Sequence, residues 1–96
     1  MIKHVVMFKL EEPTEENLKG AKELILAMFG KIEGLNSLEV GINVVESPRA
    51  YDLVLISTHE NLEALKNYAT HPVHLPVVEH MRKICKSIVS VDFEIE

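Results

Sequence analysis

The sequence predicts an α+β domain with elements in the order β-α-β-β-α-β, and three observations carry that prediction. Two stretches, residues 18–32 and 77–85, space their apolar residues as helices do. Four segments rich in β-branched and aromatic residues alternate with them, separated by turn residues such as Glu46-Ser47-Pro48-Arg49. Ninety-six residues suffice for one hydrophobic core and not for two, so a single domain covers residues 1–96.

Residues 2–10 (IKHVVMFKL) read as the first strand. Pro13-Thr14-Glu15-Glu16 opens a helix, with Thr14 as N-cap and two acids in the first turn. Leu18, Ala21, Leu24, Ile25, Met28, Phe29 and Ile32 share its apolar face, and Gly30 or Gly34 ends it. SLEVGINVV is the second strand and YDLVLIST the third. A short helix over residues 61–70 turns Leu62, Leu65 and Ala69 inward. Pro72 and Pro76 make a bend, after which Val77, Val78, Met81, Ile84 and Cys85 return to helical spacing. SIVSVDFEI is the fourth strand. The order is that of the ferredoxin-like plan, a four-stranded antiparallel sheet with helices on one face.

In that plan the uncovered sheet face should be polar, and here it is not. Val5 and Met7, Val54 and Ile56, and Val89, Val91 and Phe93 all fall opposite the helix-facing residues of their strands. An apolar patch of that extent marks an interface, and two such sheets packed face to face in a homodimer bury it.

Composition excludes several partners. The net charge of −5, with lysines and glutamates interspersed, provides no basic stripe for nucleic acid and no attraction to an anionic membrane. No segment approaches the ~20 apolar residues of a membrane span. The first strand, interrupted by Lys3 and Lys9, lacks the pattern of a signal peptide. The lone Cys85 cannot form an internal disulfide, which suits a cytoplasmic protein.

The segments IKHVVMFKL, EVGINV, YDLVLIST followed by LEALKNYATHPVH, and VDFE are spread over nearly the whole chain. Together they resemble the stress-responsive A/B-barrel (Dabb) family of small dimeric α+β barrels, and the His-Pro-x-His element after a tyrosine is the most specific piece. The resemblance implies the fold and the dimer; function does not follow from fold. A plant member of the family is a polyketide cyclase that performs an intramolecular aldol condensation with a Tyr–His pair and no cofactor. The positions matching that pair are Tyr68 and His74, and His4 matches a strand-one histidine lining the same pocket. The resemblance implies a pocket between sheet and helices lined by further aromatics, for which Phe8 and Phe29 are available. Pro76 and the absence of tryptophan depart from the family's pattern.

On an unbroken helix Tyr68 and His74 would lie about 240° apart and could not cooperate. Pro72 disfavours helix at His71, and Pro76 fits only the first turn of a new helix, so residues 71–75 form a bend. The bend turns His74 toward the space between sheet and helices, beside Tyr68 or His4, with Phe8, Phe29 and Val78 adjoining. In an enzyme His74 is then the general base and Tyr68 the orienting or oxyanion-donating phenol. The bland alternative is that His71 caps a helix end and His74 satisfies a backbone group. His71 and His74, three residues apart, are also compatible with a metal site completed by His4, Glu79 or Asp52, but no zinc spacing of known specificity is present. His59 and His80 read as solvated. Asp92, on the helix side of strand four by alternation, reads as an acceptor for a backbone or lysine donor. Cys85 on a helix stripe reads as an inert small hydrophobe, and the scattered glycines build no phosphate loop.

The expectation is therefore a homodimeric Dabb-like protein that binds a small apolar or aromatic molecule through His4, Phe8, Phe29, His71 and Val78, without metal or cofactor. The alternatives are a cofactor-independent cyclase using His74 and Tyr68, and a small dimeric monooxygenase, some of which bind haem.

Overall fold

In a computed structural model, which describes residues 1–95, strand β1 (Ile2–Leu10) occupies the middle of a four-stranded sheet. Glu96, the last position of the expected domain, lies outside the described residues. Helix α1 (Glu15–Leu26) follows β1, then β2 (Leu35–Ile42) and β3 (Leu53–His59), then α2 (Leu62–Ala69), α3 (Leu75–Ile84) and β4 (Cys85–Glu94). The sheet is antiparallel throughout, in the order β2-β3-β1-β4. This is the expected ferredoxin-like α+β fold, with the second helical unit split in two by the proline bend.

The alternation of β1 decides which face becomes the core. Ile2, Val6, Phe8 and Leu10 are buried beneath the helices, together with Leu53 and Leu55 of β3. Ala21 and Ile25 come down on them from α1, Met28 from the turn that follows it, and Val77 and Met81 from α3. Met7, Val89, Val91 and Phe93 occupy the opposite face and are exposed, Val91 by 61%. The apolar second face expected from the sequence is thus present, and no element among the described residues covers it.

Local chemistry sets the helix ends. Thr14 Oγ1 accepts the Asn17 N–H at 3.2 Å as the expected N-cap of α1, and Asn61 Oδ1 accepts that of Ala64 at 2.8 Å for α2. Helix α1 stops at Leu26, before either glycine. The Met28 and Phe29 N–H groups then reach back only three residues, to the carbonyls of Ile25 and Leu26, both at 3.1 Å. That tightening toward three residues per turn rotates Phe29 out of the apolar stripe, and it is 53% exposed. Leu24 is exposed as well.

Helix α2 also sits differently from the expectation. Leu65 and Tyr68 face inward, whereas Leu62 and Ala69 are exposed. Two short turns of helix bury their largest ring, and Ala64 lies directly against Gly34. Strand β4 begins at Cys85, two residues before the expected start, because α3 passes into it without a loop. Cys85 is therefore a strand residue paired with Leu10, beyond a register shift between Lys9 and Leu10.

Gly34 has φ of +86°, and a Cβ there would approach Ala64 Cβ to 2.8 Å. Gly34→Ala combines left-handed strain with a clash, so it should lower unfolding stability by roughly 1–3 kcal/mol. Urea titration monitored by circular dichroism checks this, and an unchanged midpoint would refute it.

Candidate functional site: a histidine–tyrosine cluster on the helix side of the sheet

Strand register brings three polar residues into a row. His4 of β1 is directly opposite Ser57 of β3 on one side and Asp92 of β4 on the other. The alternation that buries Leu53 and Leu55 continues to Ser57 and His59, and both are fully buried. His4 Nδ1 hydrogen-bonds Asp92 Oδ1. Against an ionised carboxylate this nitrogen carries the proton, which leaves Nε2 as the ring's free nitrogen. Ser57 Oγ lies 2.9 Å from His59 Nε2.

Tyr68 roofs this row from α2. Its ring centroid is 4.7 Å from that of His59 and 5.8 Å from that of His4, both in tilted or edge-on geometry. His74 stacks on its other side at 4.0 Å, with 30° between the planes. The bend makes this possible. Chain reversal at His71–His74 is held by the His74 N–H on the His71 carbonyl at 2.9 Å, and Pro76 enters the first turn of α3. His74 Nδ1 also lies 3.3 Å from the Ala69 carbonyl, and His71 Nδ1 accepts the Val73 N–H at 3.0 Å. Both histidines thus make the local hydrogen bonds of the bland alternative, and His74 in addition faces a cavity.

That cavity has a volume of about 380 Å³, within the range of small-molecule sites. His4, Tyr68 and His74 form its polar wall; Phe8, Leu55, Val77, Val78 and Ile88 are among its apolar lining. It lies between α3 and the helix side of the sheet, where Ile88, Ser90 and Asp92 of β4 remain exposed. Of the expected lining residues, the structure brings together His4, Phe8, Tyr68, His74 and Val78. Phe29 is outside, displaced by the early end of α1, and His71 borders a separate cleft with Glu33, Glu60 and Glu63.

Burial disfavours the charged forms of His59, His74 and Tyr68. It pushes the His59 imidazole down from 6.5 to about 4, with His4 and His74 adding to the effect and Asp92 opposing it. His74 is lowered too, first by burial and also by His4, against hydrogen bonds that favour its charge. The Tyr68 phenol is raised to about 12 by burial. His59 Nδ1 and the Tyr68 hydroxyl are buried without a hydrogen-bond partner, a cost natural cores tolerate chiefly where a polar group has a task.

Several sequence readings need correction. His59 is sealed in the core, because β3 extends through it on the inner face. Asp92 is on the expected side, but its partner is His4, a pairing set by the β1–β4 register. Asp52 accepts the Leu10 N–H at 2.8 Å and serves the end of β1, so it cannot join His71 and His74 around a metal. Among the described residues no group of three or more His, Cys, Asp or Glu side chains is arranged to hold an ion. The Cys85 thiol is raised by burial and by Asp52, the opposite of an activated nucleophile.

His59 also gives a pH signature. Between about pH 6.5 and pH 4 the unfolded chain binds a proton that the native His59 does not, so stability falls as pH drops through that window. The loss should be on the order of 3 kcal/mol, and His59→Gln should flatten the profile. Urea midpoints across this range, compared between the two proteins, decide it; parallel profiles would mean His59 protonates as freely in the native state.

The geometry can be set beside known proteins. The family model of the stress responsive A/B barrel domain matches residues 2–95. An uncharacterised protein of Streptomyces coelicolor is 33% identical over 98% of this chain and 99% of its own. A dimeric ferredoxin-like protein of unknown function from Bacteroides fragilis superimposes with a TM-score of 0.84 at 34% identity, covering 98% of this chain and 95% of that one. A hydroxynitrile lyase from Passiflora edulis superimposes with a TM-score of 0.85 over 99% of this chain and 93% of that one, and at 12% identity it shares the fold alone. No helix of the described residues is long and apolar enough to cross a membrane. With a match from the second residue to the ninety-fifth, the chain belongs to the stress responsive A/B barrel (Dabb) family.

Proposed function

We propose that this chain is a homodimeric, cytoplasmic Dabb protein that binds a small apolar or aromatic carbonyl compound between sheet and helices. On that ligand it performs acid–base chemistry without a cofactor. The observation carrying this reading is the cavity wall itself, where His74 stacks at 4.0 Å on a tyrosine whose hydroxyl has no partner. A neutral imidazole is a competent base near neutral pH, and burial lowers the His74 pKa, favouring that form. A phenol that ionises only near 12 stays a hydrogen-bond donor throughout. His74 takes a proton from the carbon next to the carbonyl, and Tyr68 donates to the oxygen as negative charge develops on it. Enolisation of this kind is the first half of an aldol addition, the reaction class of cyclases, and its reverse is the last step of an aldol cleavage.

Deuterium exchange at the methyl group of acetophenone in heavy water, followed by NMR, is a direct test. The protein should accelerate exchange, and His74→Ala should reduce the rate by about 10²-fold or more. Tyr68→Phe should reduce it as well. Exchange no faster than in buffer, with no binding seen by saturation transfer, would sink both the chemistry and the ligand class.

The dimer reading is supported by the exposed apolar sheet face and by the dimeric relative from Bacteroides fragilis. Val91→Asp, which inserts a charge into that face, should weaken association by several kcal/mol. Light scattering should then report monomers or aggregates. A wild-type chain that runs as a monomer at micromolar concentration refutes the assembly.

A further inference from the structure

The enolisation described above accounts for His74 and Tyr68 and leaves the Asp92–His4 pair without a role, although His4 lines the same cavity. Addition of an enolate carbon to a second carbonyl forms a carbon–carbon bond and turns the carbonyl oxygen into an alkoxide. That alkoxide must receive a proton from a group other than the base. We propose that His4 is this group, the general acid of the cavity, with Asp92 as the residue that positions it; the inference rests on the cavity being a site of enolisation.

The geometry separates His4 from its neighbours. Three imidazoles surround Tyr68, and among the described residues only His4 has a carboxylate within hydrogen-bond reach. His59 is sealed, with Nε2 on Ser57 and no route to a ligand, and it does not line the cavity. His74 has a backbone carbonyl as its polar partner and no anion. The groups facing His4 are Asp92 from β4, Ser57 and His59 from β3, Tyr68 from α2 and His74 from the bend, with Arg82 of α3 lining the cavity beyond. Of these only Asp92 is an anion, so it is the one partner that compensates a proton on His4. Burial meanwhile disfavours a charge on either of the other two rings.

The proton count closes. His74 removes one proton from carbon, and the new carbon–carbon bond uses the enolate electron pair. The carbonyl π electrons move to oxygen, and that oxygen takes the His4 Nε2 proton while Nδ1 keeps its bond to Asp92. One proton has entered through His74 and one has left through His4, so transfer of a single proton from His74 back to His4 resets the site. No oxidant or cofactor is consumed.

The test uses p-nitrophenol, whose visible spectrum distinguishes phenol from phenolate, with nitrobenzene as a non-ionising analogue. At the pH where the free dye is half ionised, dye bound to the wild-type protein should be enriched in phenolate, with the proton retained on His4. Asp92→Asn should lower the bound phenolate-to-phenol ratio about tenfold or more, the equivalent of one pKa unit. Asp92 is exposed on an edge strand, so this variant retains the fold; His4→Gln, checked by circular dichroism, should act in the same direction. A merely structural Asp92 would alter affinity and leave the ratio unchanged. Dye bound without phenolate enrichment, an unchanged ratio in Asp92→Asn, or a ratio abolished by His74→Gln instead, overturns the assignment. If nitrobenzene still binds in those cases, the ligand site stands and only the role of His4 falls; if neither compound binds, both readings fall together.

Discussion

Strand β1 hydrogen-bonds to β3 along one edge and to β4 along the other, and this double pairing determines what the two sheet faces become. Its inner residues are apolar except for one, His4, flanked by Ile2 and Val6. A single polar residue in the middle of a buried strand would be costly unless its neighbours were polar too. Register supplies them, with Ser57 on one side and Asp92 on the other. The same pairing sends Val5, Met7, Val89 and Val91 to the outer face. Core, polar row and second apolar face are consequences of one alignment of three strands.

The helices then fix how wet each part of the row is. α2 rests on β2 and β3, and its Tyr68 closes over His59. Asp92 on β4 stays exposed, so the row runs from a sealed end at His59 to a solvated end at Asp92. Desolvation falls along the same direction. The sealed imidazole resists protonation, the phenol resists ionisation, and the only carboxylate of the row stands where water still reaches it.

The fold was legible because its signals are local: period-two and helical spacing, the Thr14 cap, and a proline pair that could only interrupt a helix. The apolar outer face was legible for the same reason, since alternation within a strand needs no knowledge of its partner. Errors arose where tertiary packing chose between local options. Phe29 and Met28 both fitted the stripe of α1, and the tightened turn retained one and expelled the other. Leu62 and Ala69 fitted the inner side of α2 by spacing, and packing against the sheet buried Tyr68 there instead. At the site, the motif containing Tyr68 and His74 could be read directly. His59 needed only the alternation of β3 to be carried two residues further. The link between His4 and Asp92 was beyond reach, because residues 88 positions apart meet only through inter-strand register.

The order of elements along the chain has a kinetic consequence. β4 follows all the other described elements, yet it pairs with β1, which precedes them, and the Ile95 N–H reaches the Met1 carbonyl at 2.9 Å. During synthesis β1 can pair with β3 while its other edge waits for a strand that has not yet emerged. Contacts of such long sequence separation form late and slow the folding of small domains. In that interval an apolar strand edge is open to other chains, the condition that favours misassembly. His4 is also without Asp92 until β4 arrives, so the polar row His4, Ser57 and Asp92 is completed only when β4 joins β1.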